Sequence, residues 1–176
     1  MPDPAASSIL QHAQRVLDTE AAALAKLATQ LPPDFQAVTE AMLACQGRVI
    51  VSGVGKSGHI GRKIAATFAS TGTPSYFIHA TEASHGDLGM IGPQDLCLLI
   101  SNSGETAELK DMIAHTRRFS IPMAAISSND GSTLSKAATF KLTLPDAPEA
   151  CPIGLAPTTS TTLALALGDA LAVALM

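Results

Sequence analysis

Arg48-Val49-Ile50-Val51-Ser52-Gly53-Val54-Gly55-Lys56-Ser57-Gly58 joins a β-branched run to three glycines, and a stretch of helical spacing then continues to Ser70. The run is apolar at consecutive positions rather than at alternate ones, as expected of a strand covered on both faces. The glycines mark a tight turn from strand to helix. The same grammar recurs downstream. Residues 75–79, 96–100, 123–126 and 140–144 read as further short strands, and residues 106–119 and 132–138 read as helices. Short apolar strands separated by helices predict a parallel sheet with helices on both faces. The expected fold class is therefore an α/β three-layer sandwich around a five-stranded parallel sheet.

Two helices precede this core. Apolar residues at helical spacing predict one over 7–31, ended by Pro32-Pro33. Asp34 is placed to N-cap a second over 35–45. A final helix is expected over 158–176. The 176 residues thus read as one domain, with residues 1–46 as N-terminal helices and 47–176 as the α/β core.

Composition narrows the function classes. Eleven basic residues against fifteen acidic ones give a net charge of −4, with no basic stripe for nucleic acid or an anionic membrane. One Tyr and no Trp leave no aromatic platform for stacking bases. Met1-Pro2-Asp3-Pro4 lacks the charged and apolar regions of a signal peptide. The apolar stretch 163–176 contains Gly168 and Asp169 and falls short of the roughly 18 apolar residues that span a bilayer. Cys45, Cys97 and Cys151 are widely spaced and odd in number, which suggests reduced thiols and a cytoplasmic protein.

Ligands of such sheets bind beyond the carboxyl ends of the strands, near a topological switch point. Gly53-Val54-Gly55-Lys56-Ser57-Gly58 matches G-x-G-x-x-G, but the second strand ends in Ile78-His79 without the acidic residue that binds ribose, so the dinucleotide fingerprint is incomplete. The ATP-type loop fails because its first glycine position holds Ile50. Ser101-Asn102-Ser103-Gly104-Glu105-Thr106 follows the third strand and opens a helix, where hydroxyls and free N–H groups suit a phosphate. N-capping explains one of those hydroxyls but not all three. Thr158 and Ser160 belong to a second hydroxyl cluster at the start of the last helix. His85, in Ser84-His85-Gly86-Asp87, can exchange a proton near neutral pH, and its spacing to Asp87 is only a weak metal signal. Glu108 and Glu149 both fall at the ligand edge of the expected sheet, where an otherwise solvated carboxylate gains interest.

Together the segments 53–61, 84–90, 101–106, 149–152 and 155–161 resemble the sugar isomerase (SIS) domain. More narrowly they resemble the arabinose-5-phosphate isomerases of the KdsD/KpsF type. The resemblance runs over roughly residues 5–176, and Ser84-His85-Gly86-Asp87-Leu88-Gly89-Met90 and Glu149-Ala150-Cys151-Pro152 are its most specific parts. It implies a flavodoxin-like sheet, interconversion of D-ribulose 5-phosphate and D-arabinose 5-phosphate on the way to Kdo and lipopolysaccharide, and a homotetramer. It implies no cofactor and no required metal, although zinc can bind and inhibit, with His85 as a contact. By the same resemblance Lys56, His85, Glu108 and Glu149 are the catalytic candidates. Gly55, Ser57, Ser101, Asn102, Ser103, Thr106, Thr158 and Ser160 are the substrate and phosphate candidates. The family continues into a Ser-His-Pro segment and paired CBS domains, so the chain is expected to represent the SIS domain alone.

An aldose–ketose isomerase needs a base, a group handling the O1/O2 proton, and stabilisation of oxyanion charge. Glu149 or Glu108 is the expected base, helped if burial raises its pKa. Lys56 would face the enediolate and His85 would assist ring opening. The alternatives are a sugar-phosphate sensor without turnover and an isomerase for another ketose phosphate.

Overall fold

The computed structural model describes the chain from Pro4 to Met176, with side chains from Ser8 onward, so the reading of Met1-Pro2-Asp3 lies outside the described residues. Five strands form one sheet: β1 (Val49–Gly53), β2 (Ser75–Phe77), β3 (Leu96–Ile100), β4 (Met123–Ser127) and β5 (Phe140–Thr143). Their order is β2-β1-β3-β4-β5 and every pairing is parallel. This is the flavodoxin-like order expected from the resemblance.

Each central strand is buried along its whole length and mostly apolar, because it serves two cores at once. Val49 and Val51 of β1, Leu96, Leu98 and Ile100 of β3, and Ala124 and Ile126 of β4 face one core. Ile50, Cys97, Leu99, Met123 and Ala125, the alternate positions, face the other. The first core is covered by α1 (Pro4–Thr29), α2 (Phe35–Ala44), α3 (Gly55–Ser70) and α7 (Thr159–Ala174). The second lies under α4 (Ala80–Ser84), α5 (Lys110–Arg118) and α6 (Thr133–Ala137).

Three local readings need revision. Residues 80–90 contain α4 and a 3-10 turn, Asp87–Met90, neither of which is among the elements expected from the sequence. A five-residue helix is too short to show a 3.6-residue period. The helix after the hydroxyl loop begins as a 3-10 turn, Ala107–Leu109, and becomes α-helical only at Lys110. Asp34 does stand at the N-cap of α2, but its side chain makes no cap bond. Its Oδ2 instead accepts from Lys141 N–H at 2.7 Å, so it occupies a donor on the edge strand β5.

Three contacts hold the site-bearing elements in place. Gly168 of α7 seats directly on Ile64 of α3, where a Cβ would collide with the Ile64 side chain. An exposed Lys63–Asp169 ion pair joins the same helices and contributes at most about 1 kcal/mol. On the other side of α7, Lys26 of α1 donates from Nζ to the Asp146 carbonyl at 2.9 Å, which ties α1 to the loop between β5 and α7.

Gly168→Ala gains about 1 kcal/mol of helix propensity but overpacks a fully buried contact, at a cost of about 1–3 kcal/mol. The net expectation is a loss of up to about 2 kcal/mol in urea denaturation. The loss should be smaller when Ile64→Val is already present, because the two sites share one contact.

Candidate functional site

The switch point of this sheet lies between β1 and β3. Chain leaving β1 turns into α3 on one face, while chain leaving β3 turns toward α5 on the other. A narrow crevice of about 10 Å³ opens at that point, lined by Ser57 and Ile60 of α3, Ile100 and Asn102 at the end of β3, and Ile126 and Leu144. Ser160, Thr161 and Ala164 of α7 close its side. Of the residues expected at the ligand, Ser57, Asn102 and Ser160 meet here. Ile60 and Ala164 were not anticipated. They stand one helical turn beyond Ser57 and Ser160, so the 3.6-residue period carries the signal that places them.

The turn into α3 brings backbone against backbone. Val54 is extended and Gly55 follows with φ +56°, a conformation that favours glycine. A Cβ on Gly58 would lie 2.8 Å from the Gly53 carbonyl oxygen, so α3 can start directly against the end of β1. Lys56 is thereby exposed in the first turn of α3, next to Ser57. Its side chain has no hydrogen-bond or ionic partner among the described residues.

The hydroxyl loop is built from within. Ser101 is only 2% exposed, and its Oγ shares a 2.7 Å hydrogen bond with Thr106 Oγ1 while accepting from Gly104 N–H at 3.0 Å. Ser103 Oγ accepts from Glu105 N–H at 3.2 Å. Behind the loop, Ser127 and Ser128 donate from Oγ to the Asn102 carbonyl at 3.1 and 2.9 Å. Ser101 thus shapes the loop from its buried side, whereas Asn102 and Ser103 are exposed and Thr106 half-buried. The first turn after the loop leaves the N–H groups of Thr106, Ala107 and Glu108 without acceptors among the described residues.

Glu149 sits beside the start of α7. Its Oε2 accepts from Thr158 N–H at 2.7 Å, Thr158 Oγ1 at 3.1 Å and Ser160 N–H at 3.3 Å. Desolvation pushes this carboxyl up, but the Ser160 hydroxyl and the Thr158 and Ser160 N–H groups outweigh it and hold the group below the ordinary carboxylate range. The Ser160 Oγ stands close enough to favour the charge, yet falls short of hydrogen-bond geometry and has no partner of its own. A burial-raised pKa, the sequence expectation for the base, is therefore not what Glu149 has. In the same loop, N–H groups led by Ala156 and Ile153 lower the Cys151 thiol.

His85 caps the end of α4, and Glu108 lies in the 3-10 turn. Both are exposed, and neither lines the cleft. The structure thus brings Ser57, Asn102 and Ser160 to one opening and leaves Lys56, His85 and Glu108 on solvent-facing segments at the same carboxyl edge of the sheet. No helix among the described residues is long and apolar enough to cross a membrane.

The chain is similar to known proteins over this whole region. The SIS domain matches residues 42–174. Arabinose 5-phosphate isomerase KdsD of Yersinia pestis is 55% identical over 166 residues, covering 94% of this chain and 51% of the relative. Arabinose 5-phosphate isomerase KpsF of Escherichia coli O6:H1 is 50% identical over 181 residues, covering 100% of this chain and 55% of the relative. The chain therefore spans about half the length of the curated relatives it matches. Among solved structures, an Escherichia coli CFT073 protein in complex with A5P superposes with a TM-score of 0.92 at 40% identity, covering 96% of this chain and 90% of that one. The Vibrio vulnificus NanR protein with ManNAc-6P shares the fold at a TM-score of 0.75 and 21% identity, covering 93% of this chain and 60% of that one. With its β2-β1-β3-β4-β5 sheet and hydroxyl-lined switch point, the chain belongs to the SIS domain family.

Proposed function

We propose that this chain is a sugar-phosphate isomerase domain that interconverts D-arabinose 5-phosphate and D-ribulose 5-phosphate through an enediol. The observation that carries the reading is the solved relative bound to A5P, whose chain matches this one almost end to end at 40% identity. The cleft supports it. N–H groups without acceptors among the described residues follow the hydroxyl loop and suit a phosphate, while Ser57, Asn102 and Ser160 at the crevice offer polar groups to sugar hydroxyls.

From arabinose 5-phosphate, Glu149 takes the C2 proton and the electron pair passes through C1 to O1. Lys56 faces the resulting enediolate charge, since it is a cation with no competing partner at the rim. The proton returns to C1, and O1 gains the proton that O2 loses, which yields the ketose. His85 serves ring opening and Glu108 the O1/O2 transfer. Glu149 is favoured as base because it is ionised at neutral pH and because its described bonds all fall on Oε2. The same reading carries a cytoplasmic homotetramer supplying Kdo for lipopolysaccharide. Ile9, Leu10 and Leu17, exposed on α1, are available to bury between subunits.

Incubating ribulose 5-phosphate in D2O with the chain tests the reading by NMR. Deuterium should enter at C1 and C2, and Glu149→Gln should slow entry by at least about 10²-fold while sugar-phosphate binding persists. Tight binding of arabinose 5-phosphate without exchange would instead identify a sensor module. Exchange confined to a hexulose 6-phosphate would identify a different isomerase.

The pH profile gives a second check. A base whose pKa is lowered stays ionised further into acid, so the acid limb of kcat/KM should lie below the ordinary carboxylate range. Thr158→Val removes one hydrogen bond to the charged form, raises the Glu149 pKa and should move that limb to higher pH.

A further inference from the structure

Glu105 poses an electrostatic question that the reaction does not answer. It sits inside the hydroxyl loop, so a dianionic phosphate there meets a negative side chain in the same six residues. Like charges at close range disfavour binding unless one is neutralised or turned away. Both oxygens of Glu105 are turned away. Oε1 accepts from Thr133 N–H at 2.7 Å and Oε2 from Thr133 Oγ1 at 2.8 Å, at the first residue of α6. These bonds hold the carboxyl ionised and below its usual range.

The clamp does more than cap α6. Next to it, the Gly104 carbonyl accepts from Leu134 N–H at 3.1 Å. Gly104 has φ +69°, and a Cβ there would collide with Ser132 Oγ. Ser132 is itself buried, accepting from Ser135 N–H at 3.2 Å and donating to Ser135 Oγ at 3.0 Å. The 104–105 peptide is thus fixed to α6 on both sides, which sets the direction in which the following N–H groups point.

We propose that Glu105 is a positioning residue for phosphate: its bidentate grip on Thr133 locks the 101–106 loop to α6 and keeps the carboxylate charge off the anion. The proposal rests on the phosphate-loop part of the functional reading and is independent of which sugar is turned over. Glu105 touches neither substrate nor reacting atoms and acts through the loop backbone.

The test uses the full chain and three variants, Glu105→Ala, Glu105→Gln and Thr133→Val, with inorganic phosphate and ribulose 5-phosphate as probes. Amide NMR titration with phosphate should shift residues 102–108 in the parent. Glu105→Ala should weaken phosphate and raise KM by roughly three- to tenfold, with kcat within about twofold. Glu105→Gln and Thr133→Val each keep half of the grip and should fall between the parent and Glu105→Ala, which preserves the test if the alanine variant folds poorly. A simple helix cap would lower the melting temperature and leave phosphate affinity unchanged, and that result overturns the proposal. So does a fall in kcat at constant KM, or a parent whose 102–108 amides ignore phosphate. A parent that binds phosphate at this loop but never turns over ribulose 5-phosphate defeats the isomerase reading alone, and the phosphate titrations still decide the role of Glu105.

Discussion

The pairing of β1 with β3 is the constraint on which the rest of the structure depends. Five residues of each strand are in register, from Val49 opposite Leu96 to Gly53 opposite Ile100, and all ten are buried. Water reaches neither face, so the backbone donors and acceptors must be met within the ladder. The side chains must alternate between two dry cores. The two strands then send the chain to opposite faces of the sheet. Because the connections diverge, a gap opens at their carboxyl ends that no single helix covers. Ser57, Asn102 and Ser160 reach into that gap from three separate elements.

Around the gap, polarity is handled in two ways. On the β4 and α6 side, buried serines satisfy one another and the loop backbone. Ser101, Ser127, Ser132 and Ser135 are each at most 2% exposed and each hydrogen-bonded. A network with all its members paired is rigid, which suits a loop that must present donors in a fixed direction. On the α7 side the accounting is looser. Thr159 Oγ1 and Ser160 Oγ are buried without partners, although Glu149 satisfies nearby N–H groups. An unpaired buried hydroxyl costs on the order of 1–3 kcal/mol, so the α7 side carries the larger unmet polar demand.

What the sequence disclosed and what it withheld divide along contact range. Continuous apolar runs at Val49 and Leu96, and glycines following the first strand, are local signals, and they were enough for sheet, layers and switch point. Ser57, Asn102 and Ser160 were legible because each closely follows a strand end or opens a helix. Asp34 was misread because its partner, Lys141, lies 107 residues away on an edge strand. Glu149 was legible as a position but not as a chemical state. Burial alone argues for a raised pKa, and only the folded start of α7 shows the N–H groups that reverse the sign. Glu105 carries no local signal of its role, since nothing nearby in sequence announces Thr133, 28 residues on.

The bond from Lys26 to the Asp146 carbonyl gives α1 a part in the behaviour of the site. The bond joins the last turn of α1 to the backbone just ahead of Glu149, so an opening of α1 breaks a tie to that loop. Contacts that order α1, whose Ile9, Leu10 and Leu17 are exposed, therefore bear on that loop as well.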